Sequence, residues 1–279
     1  MNIISALRNG MYRSAKAWKS LLVIWFFYLL MTALLASPIK SAFSAGLGNS
    51  TITQMFSKDL NMEFLTDMGS SFSSVASFLR AGVLLLIIIN IPVNAFFTGG
   101  LFRIITREDY STSDFWNGAS ANFWSFLVIS LLISLMVLAS FFIFMLPLSF
   151  LMAGDGVSDV TIVLAGMVLF VLFFMWLGVL LLVADLSRSW QSAFVNNRCF
   201  AAIGYGFRQA FRIFFRGWPM MLLLMIIQCL FIFLVAAVLR RVAPQTSFGV
   251  LLLFIGSQLL FFLRIFLRAV RYGSVVSLI

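Results

Sequence analysis

The chain has 279 residues, of which 62% are hydrophobic and 10% are charged, and its formal net charge is +10. A soluble domain of average composition carries about 25% charged residues, so this composition excludes an ordinary soluble globular domain and indicates apolar surface that faces lipid. Because the basic residues stand beside the ends of apolar segments, they favour anionic lipid headgroups as partners, and no nucleic-acid partner is expected.

Six apolar segments are each long enough to cross a bilayer as a helix, which takes about 20 residues. They predict an all-α, polytopic membrane protein with six transmembrane helices, formed by a single integral membrane domain over residues 1–279. The predicted spans cover residues 18–36, 80–101, 123–147, 160–184, 218–239 and 247–267.

Lys and Arg residues are concentrated on alternate connections between these spans. Fourteen of the 19 lie on the set that includes the segment before the first span, and five lie on the other set. By the positive-inside rule the richer set faces the cytoplasm. Both termini are therefore predicted to be cytoplasmic.

A segment with apolar residues at helical spacing precedes each odd-numbered span and carries a glycine early in its length. The three glycines are Gly10, Gly118 and Gly206. This pattern predicts three repeats of one module, an interfacial amphipathic helix followed by a transmembrane hairpin. The first module includes the longest connection, an outer loop over residues 37–78, in which one or two short surface helices are predicted.

The second span contains a proline between two asparagines, in the order Asn90, Pro92, Asn94. Pro92 removes one backbone hydrogen bond and frees a carbonyl group. Two interpretations stay open. Asn90 and Asn94 form a polar intramembrane site on a substrate path, or they satisfy the groups that a proline kink leaves unpaired.

The basic segment before the fifth span is the main candidate for a specific partner. Arg208, Arg212 and Arg216 recur every four residues beside an apolar stripe, and Arg198 precedes them. One interpretation is contact with anionic lipid, at about 1 kcal/mol for each cation near the membrane surface. The alternative is that these arginines only fix the topology and anchor the helices.

Groups with catalytic potential are sparse in this sequence. It has no histidine, no Cys or carboxylate cluster with metal-ligand spacing and no nucleophile motif, so no catalytic residue, cofactor or metal site is predicted. The nine carboxylates are expected in loops or at helix ends, which argues against a proton-coupled transporter. Asp185 and Arg188, at the end of the fourth span, are predicted to form an interfacial i, i+3 ion pair.

Short sequence motifs along the whole chain, which we call the sequence landmarks, lie at residues 47–50, 97–102, 113–116, 184–188 and 197–198. In these motifs the sequence resembles a family of uncharacterised six-helix integral proteins of the bacterial inner membrane. The resemblance implies that location, but it implies no reaction, cofactor or binding residue. A more distant similarity is to the membrane domain of glycerophosphodiester phosphodiesterases. Nothing in the sequence resembles their catalytic domain, so phosphodiesterase activity is not implied.

The sequence therefore favours a non-enzymatic accessory or scaffold protein that interacts with lipids or with a membrane protein partner. The alternative is a permease-like transporter of an apolar or amphipathic substrate that uses the region around Asn90 and Asn94. The apolar tail over residues 272–279 is too short to span a membrane. It is expected to dock in a partner or to fold against the other helices.

Overall fold

The computed structural model describes residues 3–47, 69–107, 111–153, 158–194, 198–241 and 247–278. Within these ranges the side chains of residues 35–47, 69–81, 83, 86, 87, 239–241 and 247 also lie outside the description. The described residues form eight helices and no strand, which confirms the all-α fold. The helices are α1 (Ile3–Lys16), α2 (Trp18–Leu47), α3 (Gly69–Thr106), α4 (Thr112–Ala153), α5 (Asp159–Phe194), α6 (Cys199–Arg212), α7 (Phe214–Arg241) and α8 (Ser247–Val276).

Five of these helices, α3, α4, α5, α7 and α8, are long and apolar enough within the described residues to cross a membrane. The pair α1 and α2 makes a sixth candidate if it is counted as one span, because its two parts are bent by 70°. The bend falls at Ala17, between the last residue of α1 and the first of α2. These findings confirm a polytopic membrane fold.

Most helices extend beyond the predicted spans. Helix α2 continues to Leu47, helix α3 begins at Gly69, and α5 ends at Phe194, ten residues after the predicted boundary. The predicted outer loop is therefore helical at both of its ends, and its middle, with the proposed surface helices, lies outside the described residues. The predicted spans end where the apolar composition ends. The helices are longer because a polar segment stays helical while its backbone hydrogen bonds and one buried face are maintained.

The chain divides into two compact units. One comprises Met1–Leu22 and Asn94–Ile279, and the other comprises Val23–Val93. In the larger unit a core of apolar side chains from α4, α5 and α7 is almost fully buried. Its members include Ile129, Leu182, Val183, Leu186, Met220 and Met221. In the smaller unit, the hydroxyl group of Tyr28 donates a hydrogen bond of 3.2 Å to Oδ1 of Asn90.

Helix α6 packs against the last turns of α5 through a face of small residues. Ala202, Gly206 and Ala210 are its buried positions, one turn apart. At Gly206 a Cβ atom would overlap Oγ of Ser187 and would lie 2.7 Å from the carbonyl oxygen of Val183. The backbones of the two helices therefore approach too closely for any side chain larger than hydrogen at this position.

Helix α1 repeats this arrangement on α8. At Gly10 a Cβ atom would overlap Oγ of Ser274 and would lie 2.8 Å from the carbonyl oxygen of Val270. Ser274 donates a hydrogen bond to that carbonyl, as Ser187 does to the carbonyl of Val183. The two amphipathic helices are therefore held by the same local contact.

The third glycine makes a related contact inside a continuous helix. Gly118 lies in α4, near its start, and a Cβ atom there would overlap the side chain of Arg103 and lie 3.3 Å from the carbonyl oxygen of Gly99. The segment before the third span is thus not a separate helix, as α6 is, but the first part of α4. In all three places the glycine packs against a helix at, or a few residues beyond, the end of an even-numbered predicted span, which supports the threefold module.

The C-terminal tail folds against the chain. Residues 272–276 continue α8, and Tyr272 and Val275 are fully buried. Oγ of Ser277 donates a hydrogen bond of 3.3 Å to the carbonyl oxygen of Ala6 in α1. The structure therefore shows the tail folded against the other helices, which is one of the two outcomes expected for it.

Candidate functional site

Asp185 lies in α5 and is fully buried. Helix α5 is enclosed at this level because α6 packs on Val183 and Ser187 while α8 approaches from another side. The expected i, i+3 pair with Arg188 forms, with 3.3 Å between Nη1 of Arg188 and Oδ1 of Asp185. The pair is buried in the protein, and its location at the membrane interface stays a prediction.

A second arginine, from α8, shares the same carboxylate. Nε of Arg271 lies 2.8 Å from Oδ2 of Asp185, and the side chain of Arg271 is only 11% exposed. Arg188 also donates a hydrogen bond of 2.9 Å from Nη2 to Oγ of Ser130 in α4. A buried charge is tolerated only when it is paired and hydrogen-bonded, and here one carboxylate compensates two guanidinium groups.

A third arginine extends this polar group toward α3. Arg268 donates from Nε to the hydroxyl oxygen of Tyr272 at 2.6 Å and from Nη2 to Oδ1 of Asn94. The same Nη2 lies 3.3 Å from Oγ1 of Thr98, which itself donates to the backbone carbonyl of Asn94. Asn94, one of the two predicted intramembrane residues, is thus a hydrogen-bond partner of an arginine.

The aromatic ring of Tyr272 completes this group. Its centroid lies 5.1 Å from Cζ of Arg271, 5.6 Å from Cζ of Arg268 and 4.6 Å from the ring of Phe102. A guanidinium group within about 6 Å of a ring face is attracted by the electron density of that face. We call Asp185, Arg188, Arg268, Arg271 and Tyr272 the Asp185 cluster.

The Asp185 cluster carries more positive than negative charge, with three arginines and one aspartate. Together with Asn94, Thr98 and Ser130, it joins α3, α4, α5 and α8. Nε of Arg188 is buried and has no hydrogen-bond partner among the described residues. The described residues contain no group of three His, Cys, Asp or Glu side chains that could hold a metal ion. The interactions that the described residues make here are ion pairs, hydrogen bonds and contacts of guanidinium groups with an aromatic ring.

The two predicted asparagines have different partners. Asn90 is exposed and accepts a hydrogen bond from Tyr28, whereas Asn94 accepts one from Arg268. Pro92 lies between them inside α3, which continues as a helix to Thr106. Each side-chain carbonyl is thus engaged, and the use of either residue on a substrate path stays a prediction.

The four predicted lipid-contacting arginines are all exposed. Arg208 and Arg212 lie on α6, Arg198 directly precedes it, and Arg216 lies in the first turn of α7. Because the small residues of α6 face the protein, its arginines project away from it. This placement permits contact with headgroups, and the contact itself stays a prediction.

Comparison of the chain with protein-family models, with curated proteins and with solved structures finds no match. The resemblance to six-helix proteins of the bacterial inner membrane is therefore carried by the sequence landmarks alone.

Sequence reasoning missed the Asp185 cluster. It counted Arg268 and Arg271 among the cations that fix topology, because they follow the last apolar segment. The partner of Arg271 is 86 positions away in the chain, so no local spacing could reveal it. The available signal was the spacing of Arg268, Arg271 and Tyr272, which places all three on neighbouring positions of one helix.

Proposed function

We propose that this chain is a non-enzymatic integral protein of a bacterial inner membrane, an accessory or scaffold protein that binds anionic lipid headgroups. The observation that carries the proposal is the exposure of Arg208, Arg212 and Arg216 on and beside a helix whose opposite face is fixed to the protein. Arginines held in this way present charge to the membrane surface at a small further cost in conformational entropy.

The buried charge, like the exposed charge, adds to the positive potential that attracts anionic lipid. The Asp185 cluster adds a net positive charge near the junction of α5 with α6, where Gly206 packs against Ser187. A fixed positive potential at a bilayer surface attracts acidic phospholipids, at about 1 kcal/mol for each cation near the surface. The sequence landmarks suggest a protein of the bacterial inner membrane, and that membrane would supply such lipids.

The contact between the two ends of the chain supports an even number of membrane crossings. Ser277 is hydrogen-bonded to Ala6, so α1 and the end of α8 lie together. Two segments in contact at a membrane surface are separated by an even number of spans, which favours counting α1 and α2 as part of a sixth crossing. The positive-inside rule then assigns both ends to the cytoplasm.

The exposed apolar surface is suited to contact with a membrane protein partner as well as with lipid. Large side chains such as Phe170, Phe233 and Leu259 are 63%, 74% and 66% exposed on the predicted spans. Apolar side chains on this surface suit lipid tails, and they equally suit another transmembrane helix.

Replacing Arg208, Arg212 and Arg216 together with glutamine is expected to weaken retention of anionic phospholipid at least about tenfold, because three surface cations are lost. Mass spectrometry of phospholipids that co-purify with the full chain in mild detergent measures this. The matched control replaces Lys40, Arg240 and Arg241 with glutamine, which removes three cations from the other set of connections. That control should retain the anionic lipid of the natural protein.

An unchanged lipid content in the first variant would contradict the proposal and leave these arginines with a topological role. It would favour the second candidate, a permease for an apolar or amphipathic substrate. The observation behind that candidate is the hydrogen bond between Arg268 and Asn94, since charged and amide groups within membrane helices commonly mark transport paths.

A further inference from the structure

A cavity of about 400 Å³ lies between the last turns of α1 and the end of α3. Residues from α1 and the bend after it line one side, and residues from the last turn of α3 and the position after it line the other. They are Asn9, Tyr12, Arg13, Lys16, Ala17, Ile104, Ile105 and Arg107. The cavity has the size of sites that take small organic molecules.

Its lining is cationic on one part and apolar on another. Arg13, Lys16 and Arg107 supply three positive charges, and the lining contains no carboxylate among the residues that the structure describes. Ile104 and Ile105 are 5% and 2% exposed and provide an apolar surface. The three cations of this lining favour the binding of an anion.

Local contacts hold two of the cations in place. Arg13 donates a hydrogen bond of 3.1 Å from Nη1 to the carbonyl oxygen of Ile105, which satisfies one acceptor at the end of α3. Nη1 of Arg107 lies 2.8 Å from Oδ1 of Asp114, in a pair whose arginine side chain is 48% exposed. An exposed pair of this kind is weak and leaves the arginine able to bind a stronger anion.

We propose that this cavity is a binding site for a single phosphate group, carried by a lipid headgroup or by a soluble phosphate. Guanidinium and ammonium groups form strong charge-assisted hydrogen bonds with phosphate oxygens. Asn9 and the exposed Tyr12 supply further polar groups, while the isoleucines suit the apolar part of a lipid. This inference deepens the proposed function and rests on it, because it assigns one defined site to an otherwise diffuse attraction.

The test compares two variants of the full chain in mild detergent. Lys16→Gln with Arg107→Gln removes two cations that line the cavity. Arg8→Gln with Lys19→Gln removes two exposed cations from the same part of the chain that do not line it. Native mass spectrometry with added phosphatidylglycerol measures lipid binding, and thermal unfolding with inorganic phosphate against chloride at equal ionic strength measures binding of the free anion.

If the site takes a lipid headgroup, the cavity variant binds phosphatidylglycerol about tenfold more weakly than the natural chain, and the control variant does not. If it takes a soluble phosphate, inorganic phosphate raises the unfolding temperature of the natural chain and of the control but not of the cavity variant. Equal behaviour of the two variants in both arms overturns the inference. The effect of the Arg208, Arg212 and Arg216 replacements then shows independently whether the proposed function stands.

Discussion

Replacing Asp185 with asparagine is expected to destabilise the protein by about 3–5 kcal/mol. The substitution preserves the shape of the side chain but removes the carboxylate that, among the described residues, pairs with the buried Arg188 and Arg271. Both guanidinium groups would then remain buried without a counter-charge. Denaturant-dependent or thermal unfolding of the full chain in mild detergent measures the effect.

The matched control is Asp114→Asn, which removes the same charge from the exposed ion pair with Arg107. It should cost no more than about 1 kcal/mol. Adding Arg271→Gln to Asp185→Asn removes one of the uncompensated charges and should restore part of the lost stability. An equal loss of unfolding free energy for Asp185→Asn and Asp114→Asn would show that the buried ion pairs stabilise the protein no more than the exposed pair does.

Replacing Gly206 with leucine is expected to cost about 3 kcal/mol or more. Even a methyl group at this position would overlap Oγ of Ser187 and crowd the carbonyl oxygen of Val183. That carbonyl belongs to the backbone of α5, so it cannot turn away as a flexible side chain could. Helix α6 would have to move away from α5, with loss of the contacts of its buried face. The free energy of unfolding in detergent measures the effect.

Gly204→Leu provides the control, because it lies on the same helix and a Cβ atom there meets nothing within 4 Å. Leucine is a better helix former than glycine, so this variant should be as stable as the natural chain or slightly more stable. Gly10→Leu should behave like Gly206→Leu, since its surroundings on α8 are equivalent. A Gly206→Leu protein that is as stable as Gly204→Leu would show that the close contact is not required.

Much of the fold could be predicted from the sequence because membrane helices are specified locally. A run of apolar residues is sufficient to predict a helix that spans a membrane, and all six predicted spans lie on helices. Gly10, Gly118 and Gly206 were predicted to mark a repeated module, and each makes a close helix contact. The helix ends were less predictable, because packing between helices determines how far a polar segment stays helical.

The candidate site was predicted only in part, because its contacts join distant segments. Asn94 and the pair of Asp185 with Arg188 were selected from local patterns, and both belong to the polar network. The pairing of Asp185 with Arg271 and the stacking of arginines on Tyr272 depend on how α5 and α8 approach each other. The composition of one helix does not determine that approach.

The side of the membrane on which α6 lies tests the central claim most directly, since the cations act on cytoplasmic lipid only if α6 is there. In a chain with Cys199→Ser and Cys229→Ser, single cysteines are introduced as Gly204→Cys or Ser158→Cys and treated with a membrane-impermeant thiol reagent in intact cells. We predict that Ser158→Cys reacts from outside and that Gly204→Cys reacts only after the membrane is opened. Reaction of Gly204→Cys in intact cells would contradict the account.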